Sequence, residues 1–177
     1  MRYLVFSDLH GSSYYAQKIK EFMGKYSPDK LVLLGDLYYH GPRNSLPYEY
    51  SPMSASEVLN EFCDKIICIK GNCDAEVDEM LSKFSFSEHV DVLINNKKIR
   101  FTHGHKENID AFPSDIDVLI YGHFHTGFIK KLNDKIYINS GSITLPKNGT
   151  SHSFLLIEDN VVTLLDEFEN VIDKIEL

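Results

Sequence analysis

Apolar residues fall in short blocks, and most blocks end abruptly at a polar residue. Residues 3–7 read as a short buried strand. Tyr15, Ile19, Phe22, Met23 and Tyr26 then recur at helical spacing and predict an amphipathic helix that stops before Ser27-Pro28. Leu31-Val32-Leu33-Leu34 is a continuous apolar run, as expected of a strand covered on both faces. A second helix is predicted over 55–62 and a strand over 65–69. This alternation implies parallel pairing with right-handed crossovers. The second half has a different texture, with short strands predicted over 90–95, 99–102, 118–121, 128–132, 136–139, 154–157 and 161–165. Asn95-Asn96, Asn133-Asp134 and Asp159-Asn160 between several of them predict hairpins. An α/β sandwich of two packed sheets with flanking helices accommodates both halves. There is no linker, repeat or low-complexity segment, so 1–177 is expected to form one domain. The longest irregular piece, 37–54, carries Pro42, Pro47 and Pro52 and is longer than an idle connection, which makes it a candidate substrate loop.

The informative feature is what stands at the strand ends. Val5-Phe6 runs into Asp8 and His10, Leu33-Leu34 into Gly35-Asp36, and 67–69 into Gly71-Asn72. Ile99 to Phe101 leads to His103, and Leu119-Ile120 leads to Gly122-His123-Phe124-His125. In α/β sheets ligands bind beyond the carboxyl ends of the strands. Residues two apart in an extended chain point the same way, so Asp8 with His10, and His123 with His125, are each expected to form a two-ligand claw. Nitrogen and oxygen donors without thiolate suit first-row divalent ions such as manganese, iron or zinc. With Asp8 and Asp36 as the only carboxylates, two dications would keep a formal positive surplus able to hold a phosphate ester.

Each residue also has a plainer reading. An Asp after a strand is commonly a helix N-cap, a role open to Asp8 for a helix starting near Ser12, and a lone buried His is commonly a hydrogen-bonded core residue. Seven ligand-type residues at five strand ends outweigh those readings.

Composition narrows the partners. The formal net charge is -8, which disfavours a nucleic-acid polymer and favours a small anionic substrate held at a local positive site. No run approaches the roughly 20 apolar residues of a membrane helix, so no membrane partner is expected. Cys63, Cys68 and Cys73 are an odd number without CxxC spacing, which suits reduced thiols and a cytoplasmic location.

Asp8-Leu9-His10, Gly35-Asp36, Gly71-Asn72, Thr102-His103-Gly104-His105 and Gly122-His123-Phe124-His125 resemble, in residues and order, the calcineurin-like metallophosphoesterases. Leu34-Gly35-Asp36, His40 to Asn44, Gly71-Asn72-Cys73-Asp74 and Asn139 to Pro146 are similar to the bacterial YfcE-type phosphodiesterases within that family. The resemblance implies a four-layer α/β/β/α sandwich of two mixed sheets. It also implies two divalent ions, manganese first, with iron, zinc or nickel as alternatives. One ion would be held by Asp8, His10, Asp36 and His125, the other by Asp36, Asn72, His103 and His123, with Asp36 bridging. A hydroxide between the ions would attack a small phosphodiester, Asp36, Asn72 and Cys73 serving catalysis and His40, Arg43 and Cys73 contacting substrate. His105 is left between a supporting and a structural role. A phosphomonoesterase acting on nucleotides is the runner-up. A catalytically silent protein-interaction scaffold of the same fold is the reading from another class. A homo-oligomer is left open. Two departures stand out. Cys73 replaces a His that many relatives use near the leaving group, and Tyr39 stands where relatives carry a second Asp.

Overall fold

The computed structural model describes residues 1–177. Its first half alternates β1 (Tyr3–Phe6), α1 (Ser13–Tyr26), β2 (Lys30–Leu33), α2 (Pro52–Asn60), β3 (Ile66–Ile69), α3 (Glu76–Leu81) and the two-residue β4 (Phe86–Ser87). The second half runs β5 (His89–Ile94), β6 (Lys97–Thr102), β7 (Val118–Tyr121), β8 (Phe128–Leu132), β9 (Lys135–Asn139), β10 (Ser153–Glu158), β11 (Val161–Asp166) and β12 (Val171–Glu176). One sheet has the order β12-β11-β10-β1-β2-β3-β4, the other β5-β6-β7-β9-β8. Both are mixed: β1, β2 and β3 pair in parallel in the first, and β6, β7 and β9 in the second.

The two-residue period of the strands sorts side chains between two cores. Leu4 and Phe6 of β1, with Leu31 and Leu33 of β2, face α1 and α2 and join Ile19, Phe22, Val58 and Leu59. Tyr3, Val5, Val32 and Leu34 face the other way and meet Ile99, Phe101, Val118 and Ile120 of the second sheet. That is why the run 31–34 is apolar without alternation. The outer face of the second sheet carries Leu119 and Tyr121, and an irregular segment, 103–117, covers it there; its Phe112 ring lies 4.7 Å from Tyr137.

Ser12 caps α1 by accepting the Tyr15 N–H at 3.2 Å, which leaves Asp8 free of that duty. The helix ends at Ser27, whose left-handed conformation (φ 45°) sends its N–H back to the Met23 carbonyl. The predicted hairpins are present: β5–β6, β8–β9 and β10–β11 pair antiparallel, with positive φ at Asn95, Asn96, Asn133 and Asp159. The second helix begins at Pro52 rather than 55, because Pro fits the first helical position. α3, β4 and β12 carry no clear apolar period: two are very short, and β12 is an exposed edge strand.

Phe154 anchors the helix-covered core, with ring centroids 5.0 Å from Phe6 and 4.6 Å from Phe22. Phe154→Ala is expected to cost about 3–5 kcal/mol in urea unfolding, since the two stacked rings cannot close the space.

Candidate metal centre

The carboxyl ends of β1, β2, β3, β6, β7 and β9 converge at one edge of the sandwich, and their loops supply every strand-end residue singled out in the sequence. Close approach there depends on two glycines. A Cβ on Gly71 would fall 2.1 Å from Asp36 Oδ1, and one on Gly122 would lie 2.7 Å from Asp8 Oδ2.

The candidates gather in two adjoining clusters, Asp8 with His10 and His125, and Asp36 with His103 and His123. The expected His123–His125 claw is therefore not formed, because the two rings go to different clusters. The reason is backbone conformation: Asp8, His10, Asp36, His123 and His125 all have positive φ, between 49° and 63°. The chain is not extended at these residues, so the rule for alternate residues does not apply. Such conformations cost roughly 1–3 kcal/mol each away from glycine and collect at functional sites.

Three imidazoles are fixed by backbone carbonyls. His10 Nδ1 donates to Tyr39 O at 2.7 Å, His103 Nδ1 to Leu34 O at 2.7 Å, and His125 Nδ1 to Leu145 O at 2.6 Å. A carbonyl only accepts, so the neutral rings present Nε2 as a lone pair. His10 Nε2 and His125 Nε2 face each other at 3.2 Å, and Asp8 Oδ1 lies 3.3 Å from the latter. Asp8 Oδ1 is buried and has no hydrogen-bond donor. In the second cluster His103 Nε2 faces Asn72 Oδ1 at 3.1 Å, His123 Nδ1 at 3.2 Å and Asp36 Oδ1 at 3.5 Å. Asp36 turns its other oxygen towards His10, 3.9 Å away. Acceptors crowded against acceptors in a buried site call for cations, and the donor set fits first-row divalent ions. At the departure at Tyr39, the backbone carbonyl orients His10 while the side chain is half exposed and lines the cavity.

The carboxylates draw positive charge into the site, and a proton on His103 meets part of that demand in place of a divalent ion. Burial works against an ionised Asp36, yet His103 outweighs it and holds the carboxyl below the usual range. Burial likewise pulls His103 down, and the Asp36 and Asp8 carboxylates lift it to about 9. His123 falls to about 4, through burial and then His103. Burial, followed by Asp36, pushes the Cys73 thiol up to about 12.

A cavity of about 430 Å³ opens over both clusters, with Asn72, Cys73, Arg43 and Lys147 in its walls. Arg43 thus lines the cavity. His40 is not a wall residue; its ring packs edge-on against Tyr39 at 4.9 Å and Tyr50 at 5.4 Å. His105 stands behind the second cluster, its ring 5.4 Å from that of His103. His89 is exposed on an edge strand, and His152 stacks on Tyr15 at 4.9 Å.

Two residues with a part in the site had no role assigned from sequence. Lys147 is held at the mouth by its own N–H, which donates to the His125 carbonyl at 2.9 Å. The signal was the Asn139 to Pro146 motif immediately before it. Asp74 is the other: its carboxylate accepts the N–H groups of Asp36 and Leu37, both at 2.8 Å, and of Gly71 at 2.7 Å. It ties the ends of β2 and β3 together and aims Asp36.

A two-sheet α/β sandwich with paired clusters of nitrogen and oxygen donors at its strand ends defines a phosphoesterase of the metal-centred class. A family model for the calcineurin-like phosphoesterase superfamily domain matches residues 1–160, and the chain belongs to that superfamily. It is 36% identical to phosphodiesterase YfcE of Escherichia coli K12, over 93% of this chain and 91% of that protein. The solved structure of E. coli YfcE, a phosphoesterase, superposes with a TM-score of 0.95 at 33% identity, covering 99% of both chains. The chain is accordingly a phosphoric ester hydrolase. Vps29 of Cryptosporidium parvum shares the fold, with a TM-score of 0.66 at 21% identity over 99% of this chain and 98% of that one. No helix is long and apolar enough to cross a membrane.

Asp74→Asn places an amide NH₂ against backbone N–H donors. The expected loss is about 2–3 kcal/mol in urea unfolding. Manganese affinity should fall roughly 10–100-fold by calorimetric titration, since Asp74 orients a ligand.

Proposed function

We propose that the chain is a cytoplasmic, single-domain, metal-dependent phosphodiesterase acting on small diesters, and that Asp36 bridges two divalent ions, manganese foremost. The observation that carries this reading is the pair of adjoining nitrogen- and oxygen-donor clusters beneath an open cavity, with Asp36 in one of them and its second oxygen 3.9 Å from His10 of the other. Asp8, His10, Asp36 and His125 would hold one ion, and Asp36, Asn72, His103 and His123 the other. When bound, such a pair supplies an activated hydroxide and neutralises charge on entering and leaving oxygens. The likeness to YfcE, itself named a phosphodiesterase, supports the diester preference.

The chain's own residues do the rest. Asp36 and Asn72 stand at the cavity floor, where ligand geometry sets the position of the phosphorus. Arg43 and Lys147, neither in an ion pair, bring positive charge to the rim of an otherwise acidic protein and draw in an anion. Cys73 lies where a proton donor to the leaving oxygen would stand, and with its thiol near 12 it gives up a proton poorly. His40 acts indirectly in this reading, wedging the 37–51 loop so that Arg43 faces the cavity.

The test is bound metal measured beside hydrolysis of bis(p-nitrophenyl) phosphate and p-nitrophenyl phosphate. Two manganese equivalents per chain and faster diester cleavage, abolished by chelation, are expected. Faster monoester cleavage would favour a phosphatase, and no metal with no turnover would favour a scaffold. Arg43→Ala and Lys147→Ala should each raise KM roughly 3–10-fold with a smaller change in kcat. Cys73→His should raise turnover most for esters whose leaving groups have high pKa; equal effects along such a series would remove Cys73 from the acid step.

A further inference from the structure

Beside the catalytic cavity lies a second cleft of about 260 Å³, and the two share Tyr39, Cys73 and Ala75. Its character is different. The rings of Tyr39 and Tyr50, with Pro52 and Val77, form the walls, and no Lys or Arg faces it. The fully buried Tyr38 is part of its lining, its hydroxyl engaged with Ser82 Oγ at 2.9 Å. The lining carboxyl group of Asp78 is engaged as well, accepting the Ala75 N–H at 2.7 Å.

The walls are set by the fold. Tyr50 forms a bridge with Ser12, and the next residue, Ser51, donates its N–H to the Gly11 carbonyl at 2.8 Å. Pro52 begins α2 and Val77 stands on α3. Tyr39 and Val77 remain 44% and 58% exposed although both are apolar in character and adjoin the site. The cleft exceeds the about 150 Å³ cavity that holds a benzene ring. Tyrosine faces favour a flat ring over an alkyl chain of equal area.

We propose that this cleft takes a flat aromatic ring carried on one ester oxygen of the substrate, while the phosphate occupies the neighbouring cavity below Arg43 and Lys147. The enzyme's substrate class is then an aryl- or nucleobase-bearing phosphodiester rather than a dialkyl one. This rests on the phosphodiesterase reading and narrows it.

The experiment titrates the manganese-loaded protein calorimetrically with dimethyl, methyl phenyl and diphenyl phosphate. One ring fills the cleft, so methyl phenyl and diphenyl phosphate should bind alike, each roughly tenfold tighter than dimethyl phosphate. Val77→Asn keeps the net charge and should cut that ratio about fourfold. Val77→Leu, still apolar, should preserve it. Equal affinities for all three in the native protein, or a ratio untouched by Val77→Asn, overturn the inference. Binding of none of the three would instead defeat the phosphodiesterase reading, which separates the two failures.

Discussion

Buried acceptors that face one another organise this molecule. His10, His103 and His125 each commit one ring nitrogen to a backbone carbonyl and turn the other inward, where it meets a carboxylate, an amide oxygen or another imidazole. In a core such an arrangement is unfavourable without positive charge, because lone pairs repel and carboxylates lose their solvation. The strand ends, the left-handed residues and the tight glycines all serve to hold this unfavourable cluster open. Asp74 does so most directly, since three amide donors converge on it from the loops that carry Asp36 and Asn72.

The scaffold tolerates the strain because it is stiff where the site attaches. Short parallel strands buried on both faces end abruptly at the cluster, and two cores grip the first sheet from opposite sides. The candidate ligands on the loops are therefore placed by strands with little freedom to move. The cavity and its side cleft are walled largely by irregular chain, the 37–51 loop and the 140–147 segment among it. There Arg43, Tyr39, Tyr50 and Lys147 surround the cavity and its side cleft.

The sandwich was readable from the chain because its strands are short, apolar and punctuated. The boundaries of β7 and β8 agree to the residue, and the Asn-rich pairs mark real hairpins. What escaped was polar or brief. Exposed β12 is stabilised by pairing with β11, and α3 is one and a half turns long. The candidate ligands were legible as types at strand ends, and the family resemblance placed His123 and His125 with different ions, as the two clusters do, but extended-chain geometry alone did not. Extended-chain geometry joins His123 to His125, but left-handed backbone lifts that constraint: these two go to separate clusters while Asp8 and His10, equally left-handed, stay together. His40 and Arg43 read alike in sequence, yet one packs between aromatic rings and the other lines the cavity.

The sequence by itself determined the class of chemistry and which segments form most of the strands. Those follow from residue type and local period, and each short window carries that information. Only the tertiary structure decided which backbone carbonyl fixes each imidazole, that Asp74 ties the two strand ends together, and that an aromatic-lined cleft adjoins the cavity over the clusters. Such facts depend on loops meeting from strands far apart in the chain, where packing and backbone strain, not local preference, fix the direction of each side chain.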